Sequence, residues 1–443
     1  MIRLRFRWGL VLGGILLGGL PAASGEGAEA GPSSAQKPPN VVLILSDDHA
    51  WTDYGFMGHP SVRTPRLDRL AGESLTFSRG YVPSSLCCPS LASIITGLYP
   101  HQHKITSNDP PKPEEMTNAA FYRSDRFTEG REVMNRHMEA VPTLPRLLAG
   151  RDYLSLQTGK WWQGHYSRGG FTHGMTEGQR HGDKGLAIGR ETMEPIEAFI
   201  AEAKERDRPF FLWYAPFLPH TPHNPPERFL EHYQDIAPTP SIARYWAMIE
   251  WFDETCGELI ALIDDEGLAE NTIILYVSDN GWTQDPEGPG FVRSKRSPYD
   301  TGLRSPIMIR WPGTVAPRFS HEPASSVDLA PTILRAVGLE PTGEMPGINL
   351  LDTEAVAGRQ AVFGANYEHN AIDLEDPAAN LRERWVIDGA WKLIVPTGLS
   401  DLDAPELYQL DADPAELRDL AGVQSDRVGR LMGTLDRWWT PDP

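Results

Sequence analysis

Cysteine is scarce in this chain, with three in 443 residues: Cys87, Cys88 and Cys256. Adjacent cysteines rarely pair with each other, so there is no disulfide framework. Cys256 falls in a stretch of helical periodicity and reads as a packed core thiol. Basic residues are also in deficit. The 41 Lys and Arg face 60 Asp and Glu, a formal charge of −19. That balance excludes a general nucleic-acid binder, which needs a basic surface, so no nucleic acid is expected as a partner. It also excludes a broad polyanion groove, so an anionic ligand would have to be met by a local cluster of cations. Long apolar runs are missing except at the start, where Arg3, Arg5 and Arg7 precede Leu10 to Leu20 and then Pro21-Ala22-Ala23-Ser24-Gly25. This run is too short to span a bilayer comfortably, and residues 1–24 read as a secretory signal peptide. No cysteine lies near the cleavage point to carry a lipid. Residues 25–38, rich in Gly, Ala, Ser and Pro, read as a disordered leader. The expectation is an exported protein, periplasmic or secreted, with no stable membrane span.

The mature chain is long enough for one large domain and a smaller one. Four short apolar runs each lead straight into polar residues of chemical interest. Val41 to Leu45 leads to Ser46-Asp47-Asp48-His49, and Leu154 to Leu156 to Gln157-Thr158-Gly159-Lys160. Phe210 to Tyr214 leads to Pro219-His220, and Ile273 to Val277 to Ser278-Asp279-Asn280-Gly281. Such runs, separated by longer amphipathic stretches, read as buried parallel strands. Thr192–Ala203 and Tyr245–Ile263 carry helical periodicity. The implied architecture is a large, mostly parallel central sheet flanked by helices, with ligands bound beyond the carboxyl ends of the strands. After Leu351 the texture changes. Arg384 to Ile387, Trp391 to Val395 and Glu406 to Leu410 read as short strands. Asp413-Pro414 reads as the start of a helix running through Leu417 and Leu420 to Leu431. The division expected is a catalytic α/β domain over 39–355 and a C-terminal subdomain over 356–443, a small antiparallel sheet with a packed helix.

Leu86-Cys87-Cys88-Pro89-Ser90-Leu91 continues to Ile94-Ile95-Thr96-Gly97. Pro89 suits the first turn of a helix and Gly97 its end. Leu91, Ile94, Ile95 and Leu98 share one face. Cys87 therefore lies at a helix N-terminus, where free N–H groups and the dipole favour an anion and can make a thiol reactive. On these features alone a core thiol is an equal reading. Asp47, Asp48, Asp279 and Asn280 offer oxygen ligands only, which favours Ca²⁺ or Mg²⁺ over zinc. Taken singly, each acidic pair also reads as a turn or a helix cap.

Cys-x-Pro-Ser followed by Thr-Gly at this spacing resembles the signature of the type I sulfatases, within the alkaline phosphatase superfamily. The similarity runs from Asn40-Val41 to Glu406-Leu407-Tyr408. It includes Gly97-Leu98-Tyr99-Pro100-His101, Thr158-Gly159-Lys160-Trp161, Pro219-His220-Thr221-Pro222, Trp311-Pro312-Gly313 and Asp328-Leu329-Ala330-Pro331-Thr332. The resemblance selects Cys87 over Cys88 and implies its oxidation to formylglycine by a formylglycine-generating enzyme. It implies metal ligation by Asp47, Asp48, Asp279, Asn280 and an oxygen of the modified Cys87, with Ca²⁺ the usual ion. It implies further that Lys160, His220 and Lys295 handle the sulfate and the leaving group, and that the fold is alkaline phosphatase-like.

Two positions depart from the pattern. Leu91 stands where the family has Arg, and Trp162 where it has His; His165 is the expected replacement for the latter. His49, His101, His103 and His223 are further candidates for substrate contact. Residues 105–140 and 366–384 are expected to be rim loops that choose the substrate. Three readings follow: a sulfate-ester hydrolase acting on a sulfated carbohydrate, a phosphonate or phosphate diester hydrolase on the same fold, and a non-catalytic binder of sulfated ligands.

Overall fold

The computed structural model describes residues 37–441; the expected signal peptide and nearly all of the leader lie outside them. The main sheet has eight strands. In spatial order they are His173–Gly174, Leu154–Gly159, Phe210–Ala215, Asn40–Ser46, Thr272–Ser278, Ile307–Arg310, Leu75–Phe77 and Arg318–Ser320. The four apolar runs read from the sequence are its centre, and they pair in parallel. Their registers align Ser46 with Ser278 and Gly159 with Ala215. The polar residues that follow each run therefore emerge side by side on one rim. Only Ile307–Arg310 runs antiparallel to its neighbours.

Alternation along each central strand feeds two cores. Val41, Leu43 and Leu45 face one side with Trp213, Leu275 and Val277, against Leu91, Ile94 and Ile95 of the helix Cys87–Thr96. Val42 and Ile44 face the other side with Leu212, Tyr214 and Ile274, against Met248, Phe252, Cys256 and Leu259 of the helix Pro240–Asp265. Cys256 is thus a buried core thiol, and all three cysteines are free. The second expected helix begins five residues earlier than Tyr245. Thr239 caps it through Ile242 N–H, and Pro240 occupies its first turn, where a missing N–H costs nothing. The first expected helix spans Glu194–Glu205.

The C-terminal sheet is antiparallel, in the order Val362–Tyr367, Leu381–Asp388, Trp391–Pro396, Glu406–Gln409. Trp385, Ile387, Ile394 and Tyr408 join the main core, while Val386, Leu393 and Leu407 pack under Leu431 and Leu435. The helix expected from Asp413 does not form. The Asp413 carboxylate instead accepts the N–H groups of Leu417 and Arg418 in a turn, with Glu416 at φ 52°. The helix is Ser425–Trp438. No helix among the described residues is long and apolar enough to cross a membrane.

Candidate active site

The rim is assembled by backbone hydrogen bonds between strand ends. Asp47 N–H donates to Leu218 O (3.0 Å), Asp279 N–H to Ser46 O (2.9 Å) and His49 N–H to Asn280 O (3.2 Å). Asp48 has a left-handed backbone, φ 62°, and its N–H donates to Asp279 Oδ1 at 3.1 Å. These links bring Asp47, Asp48, Asp279 and Asn280 together, all buried.

The side chains then interlock. Asn280 Nδ2 donates to Asp48 Oδ1 (2.7 Å), and Cys87 Sγ donates to Asn280 Oδ1 (3.4 Å). Lys160 Nζ bridges Asp47 and Asp279, at 3.2 Å from the latter's Oδ2. Lys295 Nζ donates to Asp48 Oδ1 at 2.6 Å. His220 Nε2 lies 3.6 Å from Asp48 Oδ2, and its Nδ1 donates to Thr221 O at 2.6 Å. Ligating atoms of Asp47, Asp48, Cys87 and His220 all lie within 4.8 Å of one another.

Three buried carboxylates here face two ammonium groups. Burial, together with Lys160 and Lys295, drives the His220 imidazole well below its usual range, so it is neutral. Burial likewise pushes Asp47 well above the carboxylate range, with Asp279 and Asp48 adding to the effect and Lys160 opposing it. Asp47 Oδ2 and Asp48 Oδ2 are buried and accept no hydrogen bond. Buried charges this poorly compensated are costly unless paired or ligated. The oxygen donors of Asp47, Asp48, Asp279 and Asn280, two carboxylate oxygens among them orphaned, fit a hard divalent cation.

Cys87 begins its helix inside this cluster. Burial, reinforced by Asp279 and Asp48 against the two lysines, pushes its thiol up to about 12. The encoded side chain is therefore a neutral thiol and a weak nucleophile. Cys88 points elsewhere, accepting from Gln163 Nε2 at 3.1 Å, with its N–H on Asn108 Oδ1 at 2.9 Å.

The histidines divide. His49 is structural: it bonds Ser46 Oγ and Asp53 O, and burial pushes it down to about 3. His103 spends both nitrogens on Ser93 Oγ and Ile105 N–H. His101 stacks on Trp439 among the C-terminal aromatics. His223 lies beside Tyr245 and Trp282, with Nε2 buried and unpartnered. The expectation for His165 is corrected. It is exposed, its Nδ1 bonds Ser167, its ring tilts on Tyr166, and none of its contacts reaches the cluster. The reason is local: Gly164, at φ 73°, turns the chain outward after Gln163.

The imidazole that does stand beside the cluster is His181, which the sequence reading passed over. Its ring centroid is 5.6 Å from that of His220 and 4.5 Å from Trp162. Arg180 beside it pairs with buried Asp109 through two bonds of 3.0 Å and stacks over Trp162 and Tyr122. The available signal was the glycine density around them, Gly174, Gly178, Gly182, Gly185 and Gly189, unusual for an ordinary loop. The two stretches expected to be rim loops meet near Cys87, but they are not loops throughout: 105–140 includes the helix Asp125–Ala140, and 366–384 takes in the ends of the strands Val362–Tyr367 and Leu381–Asp388. Asn108 and Asp109 N–H donate to His369 O, and Asn366 Oδ1 accepts from Ser85.

Comparison with known proteins adds what geometry cannot. Residues 39–339 match the sulfatase family, and residues 290–434 match the C-terminal region of N-sulphoglucosamine sulphohydrolase. The chain belongs to the sulfatase family. It is accordingly an enzyme of the sulfuric ester hydrolase class, within the alkaline phosphatase superfamily. Human N-acetylgalactosamine-6-sulfatase is 29% identical over 368 residues, covering 73% of this chain and 67% of the relative. A protein solved with its substrate D-glucosamine-2-N,6-O-disulfate is 20% identical with TM-score 0.71, over 91% of this chain and 97% of that one. The phosphonate monoester hydrolase of Agrobacterium radiobacter is 19% identical with TM-score 0.66, over 90% of this chain and 94% of that one. At these identities the two structures speak for the fold alone, and a fold shared by both chemistries does not choose between them.

Proposed function

We propose that this sulfatase hydrolyses the sulfate ester of a carbohydrate through a formylglycine made from Cys87, beside a divalent metal. The observation that carries the proposal is the convergence of a helix-terminal Cys87, an under-neutralised set of oxygen donors and two buried lysines at one sheet rim. Kinship with an N-acetylgalactosamine-6-sulfatase supports a sulfated sugar as the substrate. Residues 39–355 are taken as the catalytic part and 356–443 as the part that braces it. Residues 1–24 are taken to direct export to the periplasm or medium.

In this reading Asp47, Asp48, Asp279 and Asn280 hold the metal, Ca²⁺ before Mg²⁺, which supplies Lewis-acid stabilisation of charge on the ester. Formylglycine, installed by a formylglycine-generating enzyme, supplies in its hydrated form the oxygen nucleophile that a neutral thiol cannot. The charges then balance. Three carboxylates, two ammonium groups and a divalent ion leave the site one positive charge, which matches one sulfate monoester. Lys160, fixed by Asp47 and Asp279, is a charge for sulfate oxygens. Lys295 is the proton source for the departing alcohol: burial opposes its charge, but the acidic neighbours led by Asp48 together hold it above its usual range and keep it protonated. His220, its Nδ1–H committed to Thr221 O, offers Nε2 as an acceptor and orienting group.

The test is a parallel assay of purified protein with Ca²⁺ on an aryl sulfate, an N-acetylhexosamine 6-sulfate and a phosphonate monoester. We expect both sulfates to be turned over with kcat/KM at least about tenfold above the phosphonate, a gap of roughly 1.4 kcal/mol in transition-state binding. The reverse ranking would assign the site to phosphonate chemistry. Binding of the sulfates without turnover by fully modified protein would make this chain a binder.

A further inference from the structure

Two groups implied near the nucleophile are missing from their expected places. Leu91 is packed in the main core at 2% exposure, and Trp162 is likewise buried. The loop that follows strand Leu154–Gly159 and the turn after it, residues 176–189, is built around one close approach to that strand's end. A Cβ on Gly182 would sit 2.4 Å from Gly159 O, and one on Gly185 2.6 Å from the same atom. Trp161 N–H donates to His181 O at 3.0 Å. The backbone is left-handed at three successive residues, His181 (φ 70°), Gly182 (φ 120°) and Asp183 (φ 38°). Two of these are not glycine, and such strain persists only where the surroundings over-determine it. Here the Asp183 carboxylate does so, accepting from the N–H groups of Glu177, Gly178, Gln179 and Lys184 and from Thr176 Oγ1.

The strained loop delivers one imidazole to the site. The His181 ring lies between Trp162, Phe217 and His220. Arg180 Nη1 donates to His181 Nε2 at 2.7 Å. A guanidinium is always protonated, so Nε2 must accept, and the neutral ring carries its hydrogen on Nδ1. That Nδ1 makes no hydrogen bond to any of the described residues. Arg180 is itself immobilised by Asp109, Trp162 and Tyr122.

We infer that Arg180 and His181 bring a guanidinium and an imidazole to the edge of the cluster, where Leu91 and Trp162 offer neither. His181 donates Nδ1–H to an oxygen of the bound sulfate ester. Arg180 is a positioning residue that fixes the His181 tautomer. The inference rests on the sulfate-ester reading of the same site.

The experiment compares wild type with His181→Ala, His181→Asn, Arg180→Gln and the double variant His181→Ala/Trp162→His. Asparagine tolerates the left-handed backbone, which keeps the test usable if the alanine variant misfolds. For each protein, kcat and KM are measured on an aryl sulfate, and the Kd of inorganic sulfate is measured by calorimetry on Ca²⁺-treated protein. Loss of one preorganised donor to developing charge should lower kcat about 100-fold in both His181 variants, with sulfate affinity falling about tenfold. Trp162→His should recover at least about tenfold of the loss in the His181→Ala background, since the two positions face the same space. In ¹⁵N-histidine NMR spectra the wild type should show one Nδ1–H tautomer that Arg180→Gln loses, a change that a merely structural role for Arg180 would not produce. An active wild type whose folded His181 variants keep kcat within about threefold and sulfate Kd unchanged would overturn the inference. So would an unaltered His181 tautomer in Arg180→Gln. If the wild type turns over no sulfate ester, the sulfatase reading fails, and the Kd and tautomer comparisons still decide the role of this pair.

Discussion

Asp48 is tied to more of the site than any other residue. Its N–H rests on Asp279, its Oδ1 receives both Asn280 and Lys295, and its Oδ2 faces His220. Asp279 supports it and shares Lys160 with Asp47. Removing Asp279 should therefore have opposite consequences with and without metal. Without metal, Asp279→Ala takes one carboxylate from a crowded set, so the Tm should stay near that of the wild type. With metal, a wild type that binds Ca²⁺ gains stability of about 2.7 kcal/mol at a hundredfold excess over Kd. Asp279→Ala should lose that gain, and its activity should fall by at least the ~100-fold that a disturbed metal shell costs. Thermal melts with and without Ca²⁺ check this. A large drop in the metal-free Tm, with the Ca²⁺ response intact, would make Asp279 structural instead.

Elements differ in how openly the sequence declares them. The four central strands are buried on both faces, so they read as unbroken apolar runs, and the polar residues at their ends could be placed on one rim before any coordinates. The strand Val362–Tyr367 was not legible. It contains Gly364 and Asn366 because a Cβ at 364 would strike Pro83 O at 2.4 Å and because Asn366 is spent on Ser85. Asp413 looked like a helix start because a carboxylate caps a turn with the same chemistry that caps a helix. The 176–189 loop, marked in the sequence only by its glycines, was not read for a related reason. Its order comes from side-chain-to-backbone bonds on Asp183 and from glycines pressed against Gly159, neither of which has a periodicity. That packing is testable. Gly182→Ala adds a Cβ that meets backbone, in a left-handed conformation, and should cost about 1–3 kcal/mol locally. kcat should fall by roughly tenfold or more, with global Tm little changed, because a displacement near 1 Å at a catalytic group is expensive. An unchanged kcat in Gly182→Ala would detach the loop from the chemistry.

At the scale of the whole molecule, the C-terminal sheet does more than cover the core. Lys392, fully buried, donates to Asp300 Oδ1 at 2.9 Å and forms an ion pair with Glu416 Oε1 at 2.8 Å, while Glu416 Oε2 accepts the N–H of Asp300 at 2.6 Å. The segment that carries Lys295 is thereby braced by residues more than ninety positions away, a link that follows from tertiary packing and has no local signature. The net charge of −19 fits the same plan, since in the proposed reading the cations that would meet the substrate are concentrated in one cluster. The central claim, however, concerns the identity of one atom. A buried, protonated thiol at Cys87 cannot carry the proposed reaction, whereas an aldehyde at that position can. The most direct measurement is the mass of the peptide containing Cys87 and Cys88 from active protein, with fragmentation to locate the change. The account predicts a fraction in which Cys87 alone has lost sulfur and two hydrogens and gained one oxygen, and specific activity proportional to that fraction. Full activity in protein whose Cys87 is wholly unmodified would contradict it.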